Sequence, residues 1–580
     1  MNHRSPSTTD RGVLIEDLEQ HPRSDVVIIG GGINGLGLLR ELSLQGVSAT
    51  LVERDDFVSG ASAGSSHMIH GGIRYLENGE FRLVRESVQE RNALLQLAPH
   101  CVTAQPTTIP IYSTFSGLLA APLTFLTGKS GRRHERGAIV IKLGLWLYDA
   151  YSGAGRVTPR HRFTGRTRAL AELPELNPRV KYAATYFDAC MTSPERLALD
   201  VLADAQQAGG RAANYVAAVG LDEEGVLVED RESGRRFHLD ADIVVNATGP
   251  WTDLTNAALG DAGRLMGGTK GSHIVIEHAE LLAATGGREL FFEHEDGRIV
   301  LILPIGDRVL VGTTDLEHDM ADPIICTDDE VGYFLELIAT VLPGTTVDRS
   351  DIVFRFAGVR PLPAHGDSAA GRVSRDYTVV ARHDSGRASR TTLSLVGGKW
   401  TTFRALAADL GRRVIDELGR TPTIDTASRP IGGGRDFPRT ASARREWIAR
   451  HADGVPSSRV AQLLDRYGTA AAGFVDEICH EPDVPLTHAP SYSRLEIRRL
   501  VATEAVRHLD DLLLRRTSLA FEGRVTSGLV DELAQVVGEV RGWDADIRAF
   551  ETTRVVGILR DRHGVSFAEA AEPRMLRGAR

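Results

Sequence analysis

A glycine-rich turn near the start of the chain limits the possible folds more than any other feature. Val26–Ile29 is a short run rich in β-branched residues, which is typical of a buried parallel strand. Gly30, Gly32 and Gly35 follow at once in GxGxxG spacing, and leucines at helical spacing continue to Gly46. This order predicts a parallel α/β unit in which a helix begins at the turn.

A second strand-like run, Ala49–Val52, follows the helix and ends at Glu53. Gly30 permits the tight turn, Gly32 lets a pyrophosphate approach the backbone, and Gly35 lets the helix pack on the strand. The positive end of the helix attracts the anion. Glu53 stands 23 residues beyond Gly30 and can accept hydrogen bonds from a ribose 2′-OH, which disfavours NADP. The pattern therefore predicts dinucleotide binding and leaves NAD and FAD open.

Three further segments favour FAD. Segment 60–76 combines small and hydroxyl residues with two histidines, an arginine and a tyrosine. Segment 241–251 reads as a strand that ends in a glycine turn, and 393–402 as a strand that enters a helix at 403–418. Separated glycine-rich strand ends suit an elongated ligand such as FAD. The residues expected to contact the cofactor are Gly30, Gly32, Gly35, Glu53, Ser62, Ser65, Ser66, Gly71, Gly72, Thr248, Gly249, Gly397, Gly398, Lys399 and Thr401.

With these motifs the chain resembles the FAD-dependent glycerol-3-phosphate dehydrogenases of the aerobic type, in the D-amino-acid-oxidase-like flavoprotein superfamily. The resemblance extends from about residue 23 to 560. It implies non-covalent FAD, oxidation of sn-glycerol 3-phosphate to dihydroxyacetone phosphate with hydride transfer to flavin N5, and electron transfer to a quinone. The segments that carry it are 30–35, 65–77, 98–100, 246–251, 270–275, 312–315, 358–362, 374–377, 397–399 and 508–517.

Oxidation of a secondary alcohol needs a base for the hydroxyl proton, and a phosphomonoester needs guanidinium groups. His70 and His273 are the candidate bases, and His70 ranks first because its loop is expected to face the flavin. By resemblance, Arg360 and Arg375 bind the phosphate, and Arg74 is a third cation near the substrate.

Three further assignments concern the flavin and the substrate. Lys399, at a helix start, is suited to stabilise negative charge near flavin N1. Tyr75 is expected to hydrogen-bond the substrate. Residues 313–315 either shape the wall of a sheet or contact a ligand, and both interpretations stay open.

The chain also departs from the family pattern. His67 stands where the family usually has lysine, Ala61 and Ala63 stand where it has threonine and serine, and 192–196 lacks a paired-Asp segment. The loss of a fixed positive charge leaves substrate identity open. Three alternatives are therefore kept, namely an oxidase that uses oxygen, an amine or 2-hydroxy-acid oxidoreductase, and a flavin-containing scaffold with little turnover.

The expected fold class is α/β plus α. A Rossmann-like FAD-binding domain is interleaved with an antiparallel-sheet substrate domain, and an all-α C-terminal domain follows. The expected bounds are 1–22 for a flexible tail, 23–85, 185–262 and 350–425 for the FAD-binding domain, 86–184 and 263–349 for the substrate domain, 426–440 for a linker, 441–562 for the helical domain and 563–580 for a second tail.

Composition narrows the class of protein. The 580 residues carry 67 Lys plus Arg against 77 Asp plus Glu, and the net charge of −10 argues against general nucleic-acid binding. The four cysteines form no CxxC pair, so the sequence predicts no metal site and suits a reducing cytoplasm. No apolar run approaches the roughly 18 residues that a membrane span needs.

Segment 115–148 contains two apolar stretches on either side of a basic cluster at 129–136. One interpretation is a peripheral surface that enters the anionic headgroups of the cytoplasmic face of a membrane. The other is a pair of core helices joined by a solvated basic loop. The resemblance to a membrane-associated family favours lipid contact. The oligomeric state stays open between a monomer and a homodimer.

Overall fold

The computed structural model describes residues 11–73, 80–113, 138–153, 156–293, 299–364, 376–384 and 390–567. Its strands are β1 Arg23–Ile29, β2 Ala49–Val52, β3 Met68–Ile69, β4 Val102–Ile111, β5 Arg162–Gly165, β6 Tyr182–Met191, β7 Arg211–Ala213, β8 Val216–Leu221, β9 Val226–Asp230, β10 Arg236–Asn246, β11 Thr269–Ile276, β12 Glu289–Glu293, β13 Ile299–Ile305, β14 Arg308–Gly312, β15 Leu316–Glu317, β16 Ile352–Arg360, β17 Thr378–Asp384 and β18 Arg390–Val396.

The α-helices alternate with these strands and then fill the end of the chain. They are α1 Arg11–Gln20, α2 Ile33–Leu44, α3 Phe81–Leu97, α4 Ala138–Ser152, α5 Arg166–Glu172, α6 Pro194–Gln207, α7 Thr252–Ala258, α8 Ala279–Ala284, α9 Asp328–Val341, α10 Phe403–Glu417, α11 Ala441–His451, α12 Ser457–Tyr467, α13 Ala471–Ile478, α14 Arg494–Thr503, α15 Ser527–Arg541 and α16 Ala545–His563. A helical turn at Leu509–Asp511 continues as a π-helical turn at Leu512–Arg516.

The first sheet has β1 at its centre, between β10 and β2, and these pairs are parallel. β18 lies outside β10 in parallel, and β17 pairs with β18 in the antiparallel sense. Alternate residues of β1 enter different cores. Val26 and Ile28 pack with helices α2, α6 and α10, whereas Val27 and Ile29 pack with α1 and the β8–β9 hairpin. The expected Rossmann-like domain is confirmed.

The second sheet runs in the order β15-β11-β14-β13-β12-β4-β6-β3, with β16 beside β11 and β5 beside β6. All these pairs are antiparallel except β12 with β4. Helix α9 covers one face, where Phe334 and Leu337 pack with Ile274 and Ile302. This sheet is the expected antiparallel substrate domain.

Strand pairing moves three of the expected domain boundaries. β3, the part of β6 from residue 185, and β16 belong to the second sheet, although 23–85, 185–262 and 350–425 were all expected in the FAD-binding domain. Apolar periodicity identifies a strand but does not say which sheet it joins, because that depends on distant partners. The chain therefore passes between the sheets four times, after β2, β6, β10 and β16.

The expectation of a flexible tail at 1–22 is wrong for residues 11–20, which form helix α1. Ile15 and Leu18 are buried, and Arg11 pairs with Asp230 and donates to the carbonyl of Asn214. Helix α1 has four apolar and four charged residues among its ten, and a helix this short depends on packing for its stability. The rest of this tail before residue 11, and the second tail beyond 567, lie outside the described residues.

The C-terminal domain is helical, as expected, and α11 to α16 share one large core with residues of the second sheet such as Val275, Leu303 and Phe354. Ion pairs fasten this domain to the loop after β2. Arg515 and Arg516 both bond the buried carboxylate of Asp56, which also accepts from the Asn214 side chain at 2.9 Å. Burial alone would raise the pKa of Asp56, but the charges of Arg516 and Arg515 lower it to about 2.

Replacing Asp56 by Asn should lower the free energy of unfolding by about 3 to 5 kcal/mol, because the buried guanidinium of Arg516 then loses its paired carboxylate, and Arg515 keeps only Asp510 and Asp511. Asp242→Asn is the matched control, since Asp242 pairs with Arg23 at 2.7 Å on an exposed surface and should contribute at most about 1 kcal/mol. Urea unfolding at neutral pH measures both variants. Equal losses in the two variants would contradict the role assigned to the buried cluster.

Candidate active site

The turn after β1 depends on glycine at two positions. Gly30 has φ +111°, and a Cβ there would lie 2.8 Å from the carbonyl oxygen of Ala247. A Cβ at Gly35 would overlap the carbonyl oxygen of Gly30. Because no side chain fits, helix α2 begins directly against the strand end, and its first N–H groups face the turn.

Two side chains complete this helix start. The Gly31 N–H donates to Glu53 Oε2 at 2.6 Å, and the Asp55 N–H donates to Glu53 Oε1 at 2.9 Å. Burial raises the pKa of Glu53, and the two N–H groups oppose that rise. Ser62 Oγ accepts from the Ile33 N–H at 3.0 Å and so caps the first turn.

A cleft of about 200 Å³ opens between the loop after Gly60, the end of β16 and the turn after β18. Of the predicted site residues, it brings together Ser65, Ser66, His70, His273, Arg360, Gly397, Gly398, Lys399 and Thr401. The fingerprint glycines, Glu53, Ser62, Thr248 and Gly249 are not among its lining residues; they lie in the turns after β1, β2 and β10 or in the loop that caps α2.

Arg360, the last residue of β16, is held in one orientation at the cleft wall. Its Nη1 donates to Asp315 Oδ1 at 3.0 Å, and its Nη2 donates to Thr313 Oγ1 at 2.9 Å and to the Thr314 carbonyl at 3.0 Å. Gly271 faces this guanidinium on β11, where a Cβ would overlap it. Residues 313–315 therefore hold the guanidinium of Arg360 in this orientation.

His273 lies on β11 and is almost fully buried. Its Nε2 is 2.7 Å from Ser66 Oγ, and its ring stacks on Phe356 with centroids 4.8 Å apart. Burial, with smaller effects of Arg360 and His67, lowers its pKa well below the usual value. His273 is thus a neutral hydrogen-bonding group at the cleft wall.

Lys399 and His70 both line the cleft. Lys399 Nζ donates to Ser87 Oγ on α3 at 2.7 Å. Thr401 Oγ1 donates to the carbonyl of His70 at 3.1 Å, and Trp400 Nε1 donates to the carbonyl of Ser62 at 2.9 Å. These bonds join the turn after β18 to the loop that carries His70. Ser87 and the indole donor carried no sequence signal of their own.

Three predicted site residues, Arg74, Tyr75 and Arg375, lie outside the described residues. His67, the departure from the family pattern, is buried and stacks on Phe521 with ring centroids 4.9 Å apart. Burial lowers the pKa of His67 to about 4, so this position carries no charge at neutral pH.

The remaining predicted residues make contacts within the protein. Thr248 Oγ1 donates to Asn246 Oδ1 at 2.6 Å. The Gly71 N–H donates to the side chains of Tyr148 and Asp188, a pair that sequence reasoning missed. Gly72 has φ +71°, a conformation that favours glycine.

One buried cluster has the residue types of a metal site. His100, Cys101 and Asp200 place their ligand atoms within 4.8 Å of one another. The Asp200 carboxylate is hydrogen-bonded to His100 at 2.7 Å and forms an ion pair with Arg196 Nε at 3.3 Å. The pKa of His100 is raised to about 10 against the opposing effect of burial, by Cys101 and Asp200, so its ring is protonated. Within the described residues, His100, Asp200 and Arg196 thus form a buried ion-pair cluster that fastens α6 to the residues after α3.

The carboxyl edge of the first sheet and the adjoining cleft together fit FAD. β18, β10, β1 and β2 are parallel neighbours, so their carboxyl ends share one edge of the sheet. Glycine turns that no side chain could enter, a helix N-terminus and the Glu53 carboxylate lie along that edge. The turn after β18 also lines the cleft, so an elongated dinucleotide can run from the edge into it.

Comparisons with known proteins agree with this geometry. A family described as FAD dependent oxidoreductase matches residues 25–404, and a family described as the C-terminal domain of alpha-glycerophosphate oxidase matches residues 424–548. The glycerol-3-phosphate dehydrogenase of Synechocystis is 33% identical over 86% of this chain and 90% of its own length. The aerobic glycerol-3-phosphate dehydrogenase of Escherichia coli is 32% identical over 88% of this chain and 98% of its own.

A crystal structure of the Bacillus halodurans glycerol-3-phosphate dehydrogenase complexed with FAD has the same fold. Its TM-score is 0.71 at 22% identity, and the match covers 96% of this chain and 98% of that one. The resemblance inferred from the motifs is confirmed over both the sheet-bearing part and the helical part of the chain. The chain therefore belongs to the FAD-dependent oxidoreductase family and, within it, to the glycerol-3-phosphate dehydrogenases.

Proposed function

We propose that this protein oxidises sn-glycerol 3-phosphate to dihydroxyacetone phosphate with bound FAD. The observation that carries the proposal is the placement of Arg360, held by Asp315 and Thr313, in the same cleft as His70, His273 and Lys399. An oriented guanidinium is suited to a phosphate, and a histidine is suited to accept the proton of a hydroxyl.

Each group has a role that follows from its position. FAD, when bound, supplies the hydride acceptor. Arg360 binds the phosphate and sets the register of the substrate in the cleft, while His70 takes the proton of the secondary hydroxyl. His273, being neutral and bonded to Ser66, can hold a substrate oxygen in line. Lys399 supplies positive charge where the flavin gains electrons.

The substrate class is tested with purified FAD-loaded protein, a dye as electron acceptor and three candidate substrates. We expect turnover with glycerol 3-phosphate, with dihydroxyacetone phosphate as the product, and none with glycerol or D-amino acids, because only the first carries the phosphate that Arg360 binds. Turnover of amino acids without a phosphate requirement would favour the amine oxidoreductase alternative. No turnover with any substrate would favour the scaffold.

Arg360→Ala should raise the KM for glycerol 3-phosphate about 10- to 100-fold, because charged hydrogen bonds to the phosphate are lost, while FAD stays bound. Arg355→Ala is the matched control. It lies on the same strand, five residues away on the opposite face, and pairs with Asp328 at 2.6 Å. Steady-state kinetics and the flavin-to-protein absorbance ratio measure both effects. Loss of flavin in Arg360→Ala would show that the residue is misplaced.

We propose a quinone in a membrane as the electron acceptor, with an oxidase that uses oxygen as the alternative.

No helix in the described part of the chain is long and apolar enough to cross a bilayer. Helix α4 is suited to peripheral contact, because Ile139, Leu143 and Trp146 are exposed on its outer face while Leu145 is buried on its inner face. The basic cluster at 129–136 precedes this helix in sequence but lies outside the described residues. The proposed partner of this surface is an anionic lipid headgroup layer.

Removing apolar side chains from the outer face of α4 should weaken binding to phosphatidylglycerol vesicles about tenfold or more. The test is co-sedimentation of wild type, Leu143→Gln/Trp146→Gln and the control Leu254→Gln, whose side chain is equally exposed on α7. The control should bind as wild type does. Equal binding by all three proteins, or no binding by the wild type, would overturn the proposal that this surface contacts lipid.

Oxygen consumption without added quinone would favour the oxidase as the alternative.

A further inference from the structure

The backbone beside His70 is bonded by two buried side chains, Tyr148 of α4 and Asp188 of β6, and a third, Arg91 of α3, bonds both of these. We call the three residues the Gly71 clamp. The Gly71 N–H lies 3.0 Å from Tyr148 Oη and 2.9 Å from Asp188 Oδ1, and it donates to both. A Cβ at Gly71 would overlap the Tyr148 hydroxyl, so the close approach requires glycine.

The His70–Gly71 peptide unit is hydrogen-bonded at both of its polar groups. The clamp bonds the N–H, and a residue outside the clamp bonds the carbonyl. The same peptide that supplies the Gly71 N–H supplies the His70 carbonyl, which accepts from Thr401 Oγ1 at 3.1 Å. Just before it, β3 pairs with β6, with Met68 opposite Cys190 and Ile69 opposite Ala189. The plane of the His70–Gly71 peptide is therefore set from both sides, which fixes the direction of the His70 side chain as it leaves the backbone.

The polar groups of the clamp are matched to one another. Arg91 Nη1 donates to Tyr148 Oη at 2.9 Å and to the Phe187 carbonyl at 2.7 Å, and it lies 3.3 Å from Asp188 Oδ1. The Tyr148 hydroxyl donates to Asp188. Burial raises the pKa of Tyr148 well above its usual value, so the hydroxyl keeps the proton that it donates. The Tyr148 oxygen accepts from the Gly71 N–H and from Arg91, and its proton goes to Asp188, so all of its hydrogen-bonding positions are filled.

A buried arginine and aspartate are a poor way to gain stability alone, because the loss of hydration offsets their attraction. An apolar cluster of the same volume would serve folding equally well. What the charged cluster adds is a fixed geometry, because hydrogen bonds impose a distance and an angle on the groups that they join. The group whose geometry is fixed here is the backbone next to His70, the candidate base.

We infer that Tyr148, Asp188 and Arg91 are positioning residues that orient His70 toward the substrate hydroxyl. They act through the Gly71 backbone and do not line the cleft. This inference rests on the proposed function, in which His70 takes the hydroxyl proton.

The test compares FAD-loaded Tyr148→Phe with Tyr186→Phe. Tyr186 is buried in the same cluster and packs edge-on against Tyr148, with ring centroids 5.6 Å apart, but makes no hydrogen bond to Gly71 in the described part of the chain. We expect the rate of flavin reduction by glycerol 3-phosphate to fall about tenfold or more in Tyr148→Phe, with KM changed by less than about threefold. Tyr186→Phe should keep the wild-type rate. A wild-type rate in Tyr148→Phe would overturn the inference.

A second measurement separates this inference from the proposed function. The midpoint potential and visible circular dichroism of the bound flavin need no substrate, so they can be read even if glycerol 3-phosphate fails to reduce the wild type. A change confined to Tyr148→Phe would support the clamp, and values equal to those of Tyr186→Phe would overturn it. If Tyr148→Phe does not retain FAD, Gly71→Ala takes its place, since its methyl group displaces the same hydroxyl, and the same two outcomes decide.

Discussion

The architecture depends on one close backbone approach, at the turn between β1 and α2. The α-carbon of Gly35 lies so near the Gly30 carbonyl that any side chain would overlap it. This contact lets α2 start at the edge of the sheet where β10 and β18 also end. A helix N-terminus, a carboxylate and three glycine turns then lie along one line. The FAD site follows from that alignment rather than from any single residue.

The substrate side is built differently, by strands that leave the first domain for the second sheet. β3 leads to His70 and begins one second-sheet segment, which continues to β6. β16 ends at Arg360 and closes the other second-sheet segment, which begins at β11. Because the end of β3 and the end of β16 both reach the cleft, His70 and Arg360 line it together with Lys399. In the proposed function, Arg360 and His70 act on different groups of the substrate, the phosphate and the secondary hydroxyl.

Local signals explain what could be predicted from sequence. The run Val26–Ile29 and its turn are contiguous, so the first parallel unit could be placed, and the motif around Arg360 marked a site residue. The partners of these residues could not be predicted, because Arg360 and Asp315 are 45 positions apart and Gly71 and Asp188 are 117 apart. Helix α1 was missed for the same reason, since Leu18 becomes apolar core only when the sheet packs on it.

In the proposed function, the cleft oxidises glycerol 3-phosphate directly at the bound flavin. The most direct measurement is anaerobic mixing of the FAD-loaded protein with glycerol 3-phosphate, followed by the visible absorbance of the flavin. We expect glycerol 3-phosphate to bleach the yellow colour of the flavin. Glycerol lacks the phosphate that Arg360 is proposed to bind, and it should leave the colour unchanged. A flavin that stays oxidised with glycerol 3-phosphate would contradict the account.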